Sequence, residues 1–205
     1  MKILIFDFDG TIADTKTLYY DAIYKNVRRF GYSYNDIGKV IDMGKNLRRT
    51  LRRLGLNIII TEFMKRRIMK DIVKKLPKVQ KCEDVDYIRK IKGEKILVTN
   101  SLKEAVFPIL KHFNLSREFK EIYGFEDFEE KSVFIKNYIK KRSLKKENCF
   151  YIGDRAADVK TAKDANCISI IISGKCSWDS KKDILKENPD FVVGSLKDLS
   201  KLFES

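Results

Sequence analysis

The sequence predicts an α/β protein, a doubly wound parallel sheet interrupted after its first strand by a small helical domain. Two observations carry this prediction. Short continuous apolar runs, the mark of strands buried on both faces, recur at Ile3-Leu4-Ile5-Phe6, Ile96-Leu97-Val98, Cys149-Phe150-Tyr151-Ile152 and from Ile168 to Ile172. Helix-period stretches separate the later runs, and such alternation implies right-handed crossovers within one sheet.

Taken in order, the first run leads into the second element class, a segment from 15 to 85 that is helical throughout. Leu18, Ala22, Ile23, Val27 and Phe30 stop at Gly31; Leu47, Leu51 and Leu54 stop at Gly55; Phe63, Met64, Ile68, Ile72 and Leu76 stop before Pro77. Within it, Ile58-Ile59-Ile60 is the one run with strand character, and it is too isolated to pair. Residues 77–85 form the returning hinge, so the division is 1–14 and 86–205 for the α/β core and 15–85 for the insertion. Beyond it, Val106, Ile109, Leu110 and Phe113 predict a helix, as do Val133, Phe134, Tyr138 and Ile139, then the Ala-rich stretch from Ala156 to Ala165. Glu121-Ile122-Tyr123 and Phe191-Val192-Val193 are weaker strand candidates.

With 205 residues, 43% of them hydrophobic, the chain can bury one good core plus a small appended domain. No apolar run approaches the roughly 20 residues that span a bilayer, and the opening MKILIFDFDG lacks the flanks of a signal peptide, so a cytoplasmic protein without a membrane partner is expected. Four scattered cysteines and a single His112 exclude a Cys/His zinc cage. The net charge of +14 favours anionic partners. That charge is local: residues 15–85 hold eighteen Lys/Arg against seven Asp/Glu, an excess of eleven in about a third of the chain.

Chemistry concentrates at three strand ends. Asp7-Phe8-Asp9-Gly10-Thr11 follows the first run, Thr99-Asn100-Ser101 follows the run at 96–98, and Gly153-Asp154-Arg155-Ala156-Ala157-Asp158 follows that at 149–152. Ligands of open α/β sheets bind outside the carboxyl ends of the strands, so these groups converge, together with Lys131 at the start of the preceding helix. Convergent carboxylates suit a hard cation such as Mg²⁺, which takes oxygen ligands alongside substrate phosphate.

In this order the four clusters resemble the haloacid dehalogenase (HAD) superfamily, and the insertion resembles that of its helical-cap, phosphoglycolate-phosphatase-like branch. The resemblance covers nearly the whole chain and implies a Rossmann-like HAD core with an α-helical cap. It further implies a magnesium-dependent phosphatase acting on a small anionic phosphorylated metabolite. Asp7 would be the nucleophile that forms an aspartyl-phosphate, and Asp9 the general acid and base. Thr99 and Lys131 would complete the catalytic set, with the Asn100 amide, Gly10 and Thr11 contacting substrate. The metal would be held by Asp7, Asp9 through its carbonyl, and Asp154, with Asp158 supporting the shell or positioning Lys131. An acid at Asp9 favours phosphate-ester hydrolysis over dehalogenation. In the cap, Asp42-Met43-Gly44-Lys45-Asn46 leads into Leu47-Arg48-Arg49, and Lys45, Arg48 and Arg49 would bind a second anionic group. The chain departs from the family pattern at Ser132, where Pro often follows the lysine, at Asn166, where Gly is usual, and at Pro108 within a helix. A phosphomutase of the same fold and a nucleic-acid-binding or end-processing protein using the basic cap are the alternative functions; oligomeric state is not legible.

Overall fold

A computed structural model describes residues 1–41 and 47–203. The chain forms two compact units, Met1–Asp14 with Gln80–Ser205, and Thr15–Val79. The first unit contains β1 (Ile3–Phe6), β2 (Ala13–Asp14), β3 (Gln80–Lys81), β4 (Glu94–Val98), α5 (Lys103–His112), β5 (Glu121–Tyr123), α6 (Lys131–Lys141), β6 (Cys149–Gly153), α7 (Ala156–Asp164), β7 (Ile168–Ile172), α8 (Lys181–Lys186), β8 (Phe191–Val193) and α9 (Leu196–Lys201). The second contains α1 (Thr15–Val27), α2 (Tyr34–Val40), α3 (Leu47–Arg53) and α4 (Ile58–Lys75).

Six strands form an all-parallel sheet in the order β5-β4-β1-β6-β7-β8. The chain moves outward from β1 through β4 to β5, then returns to the other side of β1 for β6, β7 and β8. This reversal opens a crevice at the carboxyl ends of β4, β1 and β6. All four residues of β1 are buried, which explains the unbroken apolar run. On one face Ile3, Ile5, Ile96, Val98, Cys149 and Tyr151 pack with Ile135 and Ile139 of α6 and Ala162 of α7. Each such fully buried aliphatic side chain contributes about 1.5–3 kcal/mol relative to exposure. Phe6 instead meets Phe119 edge-on, with ring centroids 5.8 Å apart.

The second boundary falls at Val79/Gln80, six residues earlier than the expected 86. The reason is a two-residue antiparallel ribbon: Ala13 pairs with Lys81 and Asp14 with Gln80, tying the returning chain to the outgoing one. In the helical unit, α1 packs on α4, Lys25 pairs with Asp71 at 2.9 Å, and the Asn26 amide donates to the same carboxylate at 2.8 Å. The Ile58-Ile59-Ile60 run opens α4 rather than extending, because the Asn57 side chain accepts the Ile60 N–H at 2.9 Å and caps the helix. Among the described residues, no helix is long and apolar enough to cross a membrane.

The departures find local explanations. Asn166 adopts φ +60, a left-handed position that asparagine tolerates and glycine adopts without strain. Pro108 lies inside α5 without ending it. The Ser132 hydroxyl donates to Glu130 at 2.7 Å, at the first turn of α6.

Glu94 anchors the far end of α6. Its carboxylate accepts from Arg142 and, at 2.7 Å, from Lys120. The Arg142 contact first and Lys120 with it pull the Glu94 carboxyl down from 4.5 to about 2. A depressed carboxylate contributes stability that is present above its unfolded value and lost as pH falls through its folded value. Glu94→Gln is therefore expected to lower stability by about 1 kcal/mol at neutral pH. The gap to the parent should close as pH falls from 4.5 towards about 2 in chemical-denaturation series; a pH-independent gap would show that packing, not charge, is lost.

Candidate active site

Asp7 follows β1 directly, and its N–H donates to the Ile152 carbonyl at 2.8 Å, so the sheet ladder itself fixes its position. Its carboxylate Oδ1 accepts from the Lys131 ammonium at 2.7 Å, and both side chains are buried. Lys131 opens α6 and lies 5.3 Å from the Tyr151 ring centroid, so an aromatic face and a carboxylate hold the buried cation together.

Asp7, Asp154 and Asp158 converge so that one carboxylate oxygen from each lies within 4.8 Å of the others. The three differ in their partners. Asp158 is fully engaged: Oδ1 accepts from the Tyr151 hydroxyl at 3.0 Å, and Oδ2 from the backbone N–H groups of Asp154 and Arg155 at 3.1 and 3.0 Å. Asp154 is half engaged, accepting the Trp178 N–H at Oδ2 at 2.6 Å while its buried Oδ1 has no hydrogen-bond partner. An unpaired buried carboxylate oxygen is costly. Burial first, and then repulsion from Asp158 and Asp7, push the Asp154 carboxyl well above its ordinary value of 3.8. Burial and the Asp7 charge raise Asp158 to about 6. Three clustered carboxylates, faced by the Lys131 ammonium and the nearby Arg155 guanidinium, and an orphaned acceptor make a site that a divalent cation would complete, and the all-oxygen donor set suits a hard one. Each of the three could offer one ligand oxygen, and Asp158 also holds the Asp154–Arg155 backbone in place through its two accepted N–H bonds.

Asp9 is partly buried, and the Ser101 hydroxyl donates to its Oδ2 at 2.7 Å. The Thr99 side chain is fully buried, and its Oγ1 accepts the Ser101 N–H at 3.0 Å, which orients Ser101 towards Asp9. Asn100 is exposed between them.

Gly10 has a steric role that the sequence did not reveal. It takes φ +77, and a Cβ there would lie 2.3 Å from Asp154 Oδ2 and 2.5 Å from Trp178 Cδ1. Glycine is thus the residue that lets the first loop pass against the Asp154 carboxylate. Thr11 is also buried, its Oγ1 without a hydrogen-bond partner.

Of the cap residues, Lys45 lies outside the described residues. Arg48 and Arg49 are exposed in α3, and the Arg48 guanidinium pairs with Glu62 within the helical unit. Sequence reasoning assigned no role to Ser101, Tyr151 or the Trp178 N–H. Ser101 had a signal in its place two residues after Thr99; Tyr151 read only as strand core, and a backbone donor leaves no trace in side-chain pattern.

The family model for haloacid dehalogenase-like hydrolases matches residues 4–172, which include Asp7, Asp9, Thr99, Lys131, Asp154 and Asp158. This chain belongs to that family. It is 24% identical over 219 residues to a phosphoglycolate phosphatase of Vibrio parahaemolyticus, covering 97% of this chain and 94% of that one. A phosphoglycolate phosphatase of Aquifex aeolicus is 26% identical, with 100% and 98% covered. The fold matches that of a haloacid dehalogenase-like hydrolase from Streptococcus pneumoniae with a TM-score of 0.83 at 17% identity, over 99% of this chain and 98% of that one. The HAD chain is thus a hydrolase of phosphatase type, with a Rossmann-like parallel core.

Proposed function

We propose that this HAD hydrolase is a magnesium-dependent phosphatase that cleaves small anionic phosphate monoesters through an aspartyl-phosphate on Asp7. The observation that carries this reading is the buried Asp7–Lys131 pair beside Asp154, whose inner oxygen has no partner.

Asp7 and Asp154 would hold the magnesium ion, with the Asp9 carbonyl as a further oxygen ligand. Once bound, the ion would offset negative charge on the substrate phosphate and on the carboxylates. An Asp7 carboxylate oxygen attacks phosphorus, forming the acyl-phosphate bond as the ester P–O bond breaks. Asp9, held by Ser101, gives its proton to the departing alkoxide. In the second half Asp9 takes a proton from water, the resulting nucleophile attacks the same phosphorus, and inorganic phosphate leaves as the Asp7 carboxylate is restored. Lys131 balances charge on Asp7 and on the transferring phosphoryl oxygens, and Thr99 keeps Ser101 and Asp9 in register.

The two curated phosphoglycolate phosphatases favour a two-carbon or similarly small anionic ester as the first substrate to test. The basic excess of residues 15–85 is consistent with a second acidic group on that substrate, with Lys45, Arg48 and Arg49 as its ligands.

The test is phosphate release from a panel of phosphorylated metabolites, with and without Mg²⁺, beside thermal denaturation at the same metal concentrations. Turnover should require the ion, and Mg²⁺ should raise the melting temperature of the parent but not of Asp154→Asn. Equal turnover in chelator, or an undiminished thermal shift in the variant, would overturn the metal assignment.

A further inference from the structure

Two of the four cysteines are out of reach. Cys149 and Cys167 are buried in the sheet core and packed among aliphatic side chains. Cys82 and Cys176 are placed differently, on either side of one small cavity that Gly10 and Thr11 also line. Cys82 follows β3 and is buried, with its N–H donating to the Ile12 carbonyl at 3.0 Å. Cys176 is partly exposed, in a turn after β7 that is fixed from both sides. The Ser177 hydroxyl donates to the Ile172 carbonyl at 2.7 Å and accepts the Gly174 N–H at 2.8 Å. Both cysteines line this cavity, and the residues next to them are joined, Lys175 pairing with Glu83 at 3.4 Å.

We propose that Cys82 and Cys176 are a modification site, a reversible dithiol–disulfide pair oxidised by low-molecular-weight disulfides, whose state is felt at Asp154 through Trp178. The two cysteines line one cavity, and the Lys175–Glu83 pair beside them already draws together the segment after the ribbon and the turn after β7, which is the approach that a disulfide requires. Their environments also divide the labour. The hydrogen bond from Cys82 lowers the Cys176 thiol below its ordinary value, whereas burial pushes Cys82 far up. Cys176, the exposed member, is therefore the attacking group and Cys82 the resolving one.

The exchange balances without a further reagent. Cys176 loses its proton and attacks one sulfur of the small disulfide, forming a mixed disulfide and releasing a thiolate that takes up that proton. Cys82 then gives up its proton and attacks the Cys176 sulfur, breaking the mixed disulfide and releasing the second small thiol. The protein is oxidised by two electrons and the small disulfide is reduced to two thiols. The consequence reaches the site because Trp178 lies two residues beyond Cys176. Its N–H holds Asp154 Oδ2, and its ring lies against Gly10.

The experiment uses the full chain incubated with oxidised glutathione, followed by thiol counting after denaturation, non-reducing peptide mapping, and the emission of the chain's single tryptophan. The four thiols should fall to two, with one peptide pair joining Cys82 to Cys176. Trp178 emission should change, and dithiothreitol should restore both. Cys176→Ser, at a partly exposed position, should keep its three thiols and its emission unchanged, and Cys82→Ser should accumulate a glutathione adduct on Cys176. An unchanged count in the parent, a persistent adduct on Cys176 with Cys82 free, or a link to Cys149 or Cys167 would overturn the pair. Linkage without a change in emission would overturn the coupling to Asp154. None of these readouts depends on the proposed catalytic reading.

Discussion

Asp7→Asn should reduce turnover by roughly 10⁵-fold while leaving the protein folded, as expected when a covalent nucleophile is removed and the rest of the site is kept. The substitution is close to isosteric, and its amide oxygen can still accept from Lys131, so the contact now spanning 2.7 Å survives. It also removes one of the three carboxylates that crowd within 4.8 Å, whose mutual repulsion is unfavourable. The metal-free variant should therefore melt at or above the temperature of the parent, which separates chemical loss from unfolding. The same sample tests the intermediate. Parent enzyme quenched in acid with labelled substrate should carry a hydroxylamine-labile phosphoryl group on the peptide containing Asp7, and the variant none. Retention of about a tenth of the parental rate would place the nucleophile elsewhere.

Lys131→Met should have the second largest effect, and the opposite effect on stability. Its ammonium is the buried cation on Asp7, and Asp154 and Asp158 stand within the same cluster. Taking away one partner of a buried ion pair leaves an uncompensated charge, at a cost of about 3 kcal/mol or more. For a chain of this length that corresponds to a fall of about 6–12 °C in melting temperature without metal. A divalent cation offsets the same charge, so Mg²⁺ should recover more of the melting temperature in the variant than it adds to the parent. Turnover should fall about 10³-fold through kcat, because Lys131 balances charge that develops during phosphoryl transfer. A rise in KM with kcat intact would reduce Lys131 to a substrate-binding group.

Both expectations begin with residues that could be named from the sequence, yet the sequence and the structure contribute unequally. Central strands were legible because burial on both faces leaves no polar alternation, as in β1 and in Ile96-Leu97-Val98 of β4. The runs at 121–123 and 191–193 were fainter for a physical reason: they became the two edges of the sheet, where side chains are only partly covered. The ribbon of β2 and β3 left no signal, since two residues per strand carry no periodicity, and its absence from the reading displaced the second domain boundary. Within the site, Asp7, Asp9, Asp154 and Asp158 were legible as acids clustered at strand ends.

Sequence alone determined the α/β class, the helical insertion, the concentration of positive charge in residues 15–85 and the identity of the acidic groups, because these properties follow from local pattern and composition. Only the tertiary structure decided which groups meet. The Lys131 ammonium reaches Asp7 across 124 positions and Ser101 reaches Asp9 across 92. Trp178 supplies a backbone donor to Asp154, and Tyr151 turns its hydroxyl to Asp158. Parallel pairing sets the strand ends side by side, and burial then removes water from between them. The strength of each contact, and the unpartnered oxygen of Asp154, therefore depend on the folded arrangement and not on the order of residues along the chain.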